Sequence, residues 1–274
     1  MKNGSSPEPV LRIQEALQAA VAALSHFIPG KEKADYKPGE GPVTEADRVA
    51  NDVLRRVLIQ DGEGWLSEES VDDKQRLGKE RVWVVDPLDG TREFVAGIPE
   101  WCVSVALVEH GRAVAGGVCN PATSELILGS RATGVKLNGK TVRASQRENL
   151  AGALVLASRS EVKRGEWERF RSAPFTIRPL GSVAYKLALV AAGVADATWT
   201  LVPKHEWDVA AGVALVEAAG GFVCDPRSAP VKFNSVSALF SGLVAGGPRL
   251  RKPIASFLGG HIETQNLEEP SEDA

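Results

Sequence analysis

The chain has 274 residues, of which 43% are hydrophobic and 24% charged, with a formal net charge of -3. That length suits one large domain or two lobes sharing an interface, and the charge balance excludes a general pull toward nucleic acid or an anionic membrane. Any polyanionic ligand must therefore be met by local charge.

Cys102, Cys119 and Cys224 are far apart and form no CxxC pair, which argues against a zinc knuckle or a disulfide framework and fits a reducing compartment. The stretch "MKNGSSPEPV" lacks the basic-then-apolar pattern of a signal peptide, and no apolar run approaches the ~20 residues of a membrane span. The expectation is a soluble, cytoplasmic protein.

From Val10 through Ile13, Leu17, Val21, Leu24 and Ile28, apolar residues recur at steps of three and four, which predicts a helix stopped by Pro29-Gly30. After the loop "YKPGEGP" a second helix is expected from "TEADRVANDVLRRVLI", with Thr44 and Asp47 at capping-box spacing. Two helices thus precede the first strand, "VWVV", a short apolar run covered on both faces. "CVSVALVEHGRAVAGGVCNP" and "VKLNGKTV" read as hairpins turning at His110-Gly111 and Asn138-Gly139. Beyond "RASQRENL" the pattern becomes strand "ALVLAS", helix "EWERFR", strand "FTIRPL", helix "SVAYKLALVAAG", strand "DATWTLV" and helix "WDVAAGVALVEAAGG". The class is α/β with an α+β first half. The natural division gives an N-terminal lobe over residues 1–143 and a C-terminal α/β lobe over 144–258; the acidic tail, 259–274, is expected to lack fixed structure.

Chemistry concentrates in "VWVVDPLDGTREF". Pro87 keeps Asp86 extended, Gly90 allows a sharp turn, and two carboxylates then stand at one strand end. If "TREFVAG" begins a helix, the Gly90 and Thr91 amides offer a place for a phosphate oxygen. Two carboxylates and a phosphate repel each other unless a hard divalent ion lies between them, and magnesium suits that role. Taken alone, a turn explains D-x-x-D, a solvated surface explains Glu68-Glu69 in "LSEES", and an N-cap explains Asp208 in "HEWDVAAG".

Together, "VTEAD", "SEES", "DPLDGT" and "WDVAAGVALVEAAGG", in this order and spread over roughly residues 10–250, resemble the inositol monophosphatase superfamily of magnesium-dependent, lithium-sensitive phosphatases. The resemblance implies the layered α-β-α-β-α sandwich shared with fructose-1,6-bisphosphatases, in two closely packed lobes. It also implies Glu68, Asp86, Asp89, Asp208 and the Leu88 carbonyl as ligands for two or three Mg2+ ions. Gly90 and Thr91 match the phosphate turn, and Thr44, Asp47, Glu68 and Thr91 match the set that activates water. The implied reaction is direct hydrolysis without a protein nucleophile.

For the substrate, the resemblance points most toward the 3'(2'),5'-bisphosphate nucleotidase (CysQ-type) branch, on "DPLDGTREF", "SRS", "GSVAYK" and "EWD". Arg159 and Lys186 are then expected at a second phosphate, alongside Asp208 as a substrate contact; for Lys186 an ordinary exposed helix lysine is the competing reading. Leu201 stands where inositol monophosphatases carry an acidic sugar contact, and "KPGEGPVT" keeps Lys37 but has Gly39 and Gly41 where polar residues are expected, which bears on a third metal. His205, Cys102 and Trp101 fit no ligand pattern and are read as packing or rim residues. An inositol or sugar-phosphate phosphatase is the nearest alternative, and a non-catalytic binding module of the same fold the alternative of another class. The expected partner is a small phosphate ester, with no nucleic-acid polymer and no membrane; a homodimer is left open.

Overall fold

Residues 8–36 and 41–268 are described in a computed structural model of the chain. Helix α1 (Glu8–Leu24) buries Ile13, Ala16, Leu17, Ala20 and Leu24, the stripe its spacing demands. It ends at Leu24 rather than Ile28, because the chain turns there, with the Phe27 N–H on the Leu24 carbonyl and Ile28 exposed. A short ribbon, β1 (Asp35–Tyr36) with β2 (Pro42–Val43), leads into α2 (Glu45–Leu58). Residues 37–40, with Lys37 and Gly39, lie outside the described residues. The expected capping box is present: the Thr44 N–H donates to Asp47 Oδ2 at 2.8 Å.

The expectation of two helices before any strand is corrected by this ribbon and by β3 (Gly64–Ser67), whose four residues are too few to show an alternation. It opens a seven-stranded sheet that continues in chain order through β4 (Arg81–Asp89), β5 (Cys102–Glu109), β6 (Arg112–Asn120), β7 (Glu125–Ser130), β8 (Gly134–Leu137) and β9 (Lys140–Val142). Only β3 and β4 are parallel. The two hairpins turn where expected, with positive φ at His110, Gly111, Asn138 and Gly139. A short helix, α3 (Thr91–Val95), follows β4 directly.

The second sheet has five strands in the order β11-β10-β12-β16-β14, that is β10 (Leu154–Ser158), β11 (Thr176–Leu180), β12 (Ala197–Thr200), β14 (Phe222–Cys224) and β16 (Leu243–Gly246). A second ribbon joins β13 (Lys204–His205) to β15 (Leu239–Phe240). The helices of this half are α4 (Arg159–Lys163), α5 (Val183–Ala191), α6 (Glu206–Ala218) and α7 (Arg251–Glu268). The helix expected over "EWERFR" is only one 3-10 turn, Glu168–Phe170, and α4 was not anticipated, since five residues are too few to carry a helical period. Helix α7 continues to Glu268, into the stretch expected to lack structure; residues 269–274 lie outside the described residues.

Strand alternation builds the layers. Trp83 and Val85 of β4 and Val103, Val105 and Leu107 of β5 pack with α1 and α2. Val82 and Val84 of β4 and Ala106 and Val108 of β5 pack on the opposite face with α5 and α6, which also cover Leu156, Val223 and Ala245 of the second sheet. Lying between two sheets, α5 and α6 are apolar on nearly every side. The far face of the second sheet buries Trp199, Phe222 and Val244 against Trp167, Phe170, Phe175 and Ile254 of α7. Helices, sheet, helices, sheet and helix make the expected five-layer sandwich.

Candidate active site

In a regular strand, residues three apart point to opposite faces, so Asp86 and Asp89 should diverge. They do not, because β4 bulges between them: Asp86 pairs with Ser104 but Asp89 with Cys102, so the Pro87-Leu88 step inserts one extra residue. Pairing resumes at Asp89, so the strand runs on past Asp86 to Asp89. Pro87 has no N–H to lose at the bulge, the Leu88 amide donates to Asp86 Oδ1 at 3.1 Å, and the Leu88 side chain joins the α1/α2 core. The two aspartates thereby line one open pocket of about 290 Å³.

Glu68 at the end of β3 and Asp208 in the first turn of α6 line the same pocket, with Gly90, Thr91, Arg159 and Lys186. Asp208 is at the third helical position, where its Oδ2 accepts the His205 N–H at 2.9 Å, so it caps the helix from within rather than as N-cap. Its Oδ1 has no hydrogen bond among the described residues. The charges oppose one another. Burial first, then the charge of Asp208, pushes Glu68 up to about 8; burial and then Asp89 push Asp208 up to about 7. Asp86 stands well above the usual carboxylate range, through burial and then the charge of Glu68. Glu68 is exposed to the pocket, so solvent relieves part of this upward push.

A second group lies behind this rim. Asp47 is 2% exposed and receives the Thr44 hydroxyl at 2.6 Å and the Thr91 hydroxyl at 2.9 Å; Thr91 Oγ1 is also 3.0 Å from the Leu88 carbonyl. Burial raises Asp47 and these bonds pull it partly back. Capping α2 and holding Thr91 are therefore simultaneous tasks of one carboxylate.

Asp89 is oriented by residues the sequence reading passed over. Ser182 Oγ donates to Asp89 Oδ2 at 2.7 Å and the Ala184 N–H donates to the same oxygen at 2.6 Å. Ser182 sits at φ 57° and ψ 122°, a conformation that only its dense contacts can hold. Its hydroxyl accepts the Tyr185 N–H, and its carbonyl accepts Lys186 Nζ at 2.7 Å. Lys186 is 3% exposed, which overturns the reading of an ordinary surface lysine; burial lowers its pKa, against the pull of Asp89. Lys204, also unanticipated, lines the pocket and pairs with Glu161 at 3.3 Å. The pattern "GSVAYK" signals a helix start but not the positive φ of its serine.

Arg159 lies on α4, and it is not a free cation: Nε and Nη2 meet Glu100 Oε2 at 2.9 and 2.7 Å. Leu201 faces a different cavity, among Trp167, Phe170 and Trp199, while Glu93 is a further acidic side chain on the wall of the carboxylate pocket. Cys102 and Trp101 are buried, and His205 stacks on Trp207 at 4.3 Å, in keeping with packing and rim roles.

The donor set fits a hard divalent cation. Four carboxylates and a main-chain carbonyl present only oxygen donors, and the raised pKa values of the carboxylates express the cost of gathering like charges in one place. Among the described residues no three His, Cys, Asp or Glu side chains already converge on one metal-ion position.

Comparison with known proteins agrees over nearly the whole chain. The model of the inositol monophosphatase family matches residues 6–255. An inositol-1-monophosphatase of Rhizobium meliloti is 37% identical over 217 residues, 75% of this chain and 79% of that protein. The Nus factor SuhB of Pseudomonas aeruginosa is 35% identical over 279 residues, covering 93% and 97%. Among solved structures, an inositol monophosphatase of Thermotoga maritima superposes with a TM-score of 0.76 at 25% identity, over 94% of this chain and 97% of that one.

Proposed function

Because the chain belongs to the inositol monophosphatase family, whose members are phosphatases and generally magnesium-dependent, we propose that it hydrolyses the monophosphate ester of inositol or a related polyol by metal-assisted attack of water. One observation carries the reading. Glu68, Asp86, Asp89 and Asp208, drawn from both halves of the chain, line a single pocket beside the Thr44-Asp47-Thr91 network. Carboxylates so placed have no evident use without a cation and a phosphate.

In this reading Glu68, Asp86, Asp89, Asp208 and the Leu88 carbonyl would hold the ions. Magnesium held there would supply Lewis acidity toward water and the phosphoryl oxygens. The Gly90-Thr91 turn orients the phosphate. Asp47 fixes the Thr91 hydroxyl, and with Thr44 it is placed to take a proton relayed from the attacking water. Ser182 and Ala184 keep Asp89 pointed into the pocket. Glu206 anchors the start of α6, and so Asp208, by accepting the Asn234 and Ser235 N–H groups at 2.7 and 2.8 Å.

The polyol reading gains from relatives such as the Rhizobium meliloti protein, which bears the name inositol-1-monophosphatase, and the Thermotoga maritima protein named fructose-1,6-bisphosphatase/inositol-1-monophosphatase. The pocket is also at the low end of the ~300–1,000 Å³ of small-molecule sites, which suits a phosphate with one ring. The bisphosphate nucleotide remains the second reading, because Arg159, Lys186 and Lys204 line the same pocket and Leu201 offers no acidic acceptor. Phosphate release from inositol 1-phosphate, fructose 1,6-bisphosphate and adenosine 3',5'-bisphosphate separates them. The inositol ester should be favoured, and activity should vanish with a chelator, return with magnesium, fall with lithium and be lost in Asp89→Asn. Preference for the nucleotide transfers the assignment to the second reading; activity indifferent to chelation defeats both.

A further inference from the structure

Three cationic side chains from the C-terminal half reach the pocket, and each has a partner. Lys186 is buried on the Leu180 and Ser182 carbonyls, and Lys204 is paired with Glu161, which is 2% exposed at its side chain. Arg159 differs because its side chain is 41% exposed while Glu100, its partner, is 16% exposed. The guanidinium stands at the rim and its counter-charge is set in the wall behind it. Arg92, on the other side of the phosphate turn, is exposed to solvent, where a charge is worth little.

Glu100 is fixed independently of Arg159. Its Oε2 accepts the Gly181 N–H at 2.8 Å. Its carbonyl oxygen lies 2.8 Å from where a Cβ would stand at Gly90 and equally at Gly181, so its backbone is wedged between the phosphate turn and the turn that orients Asp89. We infer that Glu100 is a specificity-determining residue: by holding Arg159 in a neutral pair at the rim, it favours esters with an uncharged leaving group over esters carrying a second phosphate. A second phosphate must take Arg159 away from Glu100 and then face the carboxylate it has displaced. A polyol makes neither demand.

The inference rests on the phosphatase reading, and two measurements keep the failures apart. Glu100→Gln removes the charge but keeps an amide oxygen for the Gly181 N–H. Steady-state phosphate release gives the ratio of kcat/KM for fructose 1,6-bisphosphate to that for inositol 1-phosphate, which cancels a general loss of active enzyme. In Glu100→Gln the ratio should rise roughly tenfold, the worth of one charged hydrogen bond, and it should return to the wild-type value in Glu100→Gln/Arg159→Gln. Titration calorimetry of the same two esters with calcium in place of magnesium gives a ratio of dissociation constants that needs no turnover. Absence of hydrolysis in the wild type would count against the phosphatase reading, with the binding ratio still judging Glu100. Ratios unchanged in Glu100→Gln, or a rise that persists in the double variant, overturn the inference.

Discussion

Gly90→Ala tests whether the turn after β4 is the point on which the site depends. Gly90 has φ 101° and ψ 35°, a left-handed backbone that costs an L-residue about 1–2 kcal/mol. Its new Cβ would lie 2.8 Å from the Glu100 carbonyl oxygen and 3.1 Å from Trp101 Cα and Cβ, atoms of a neighbouring segment that cannot swing aside. Overpacking of this kind adds about 1–3 kcal/mol. Reaching an ordinary 3.4 Å contact requires a shift of about 0.6 Å (3.4 − 2.8), which is borne by Gly90 and Thr91. Thermal unfolding should therefore fall by roughly 5–15 °C. Phosphate release at saturating magnesium should fall on the order of a hundredfold, as reacting groups are displaced on the ångström scale. Gly62→Ala is the control: φ is 88° and nothing lies within 4 Å, so it should show the backbone cost with normal activity. If Gly90→Ala behaves like Gly62→Ala in both assays, the close-approach argument is refuted.

Thr91→Val keeps the shape of the side chain but leaves Asp47 without the 2.9 Å donor, and kcat should drop about a hundredfold with little change in melting temperature; normal turnover would remove Thr91 from the water-activating set. Arg76→Met should cost about 3 kcal/mol in urea unfolding. Arg76 is 2% exposed and donates to Asp72, Asn234 Oδ1 and the Ser235 carbonyl, so its loss unties the loop that braces α6; a change under 1 kcal/mol would show that the network is slack. Burial alone would raise Asp72, yet the bonds from Arg76 and Lys74 hold it at about 2, so the folded pKa is depressed. That stability is present above the ordinary value of 3.8 and is lost as pH falls toward 2. Asp72→Asn should lower stability at pH 7 by up to about 2 kcal/mol and flatten the acid limb below pH 4, and an unaltered limb would assign it to other groups.

Much of this was legible in the residues. The stripes of α1 and α2 and both glycine hairpins follow from spacing and local chemistry, whereas the gathering of Asp86, Asp89, Glu68 and Asp208 is implied only by the resemblance that four motifs carry together. What escaped depends on distant partners or on elements too short to carry a period. The bulge that turns Asp86 and Asp89 to one side shows only in the pairing of β4 with β5. The neutralisation of Arg159 depends on Glu100, 59 residues away, and the burial of Lys186 on packing around α5. Strand β3 and helix α4, at four and five residues, lie below the length at which periodicity can speak.

The clamp on Asp89 has a consequence for folding. Its carboxylate belongs to the first sheet, but both bonds that aim it come from Ser182 and Ala184 at the head of α5, and Asp208 arrives on α6. A chain that has formed one sheet but not yet seated these helices against it has its acidic groups scattered and unaimed. Such intermediates should be chemically silent, so that the onset of phosphate release during refolding timed against the burial of Trp83 would mark the moment the two halves close on one another.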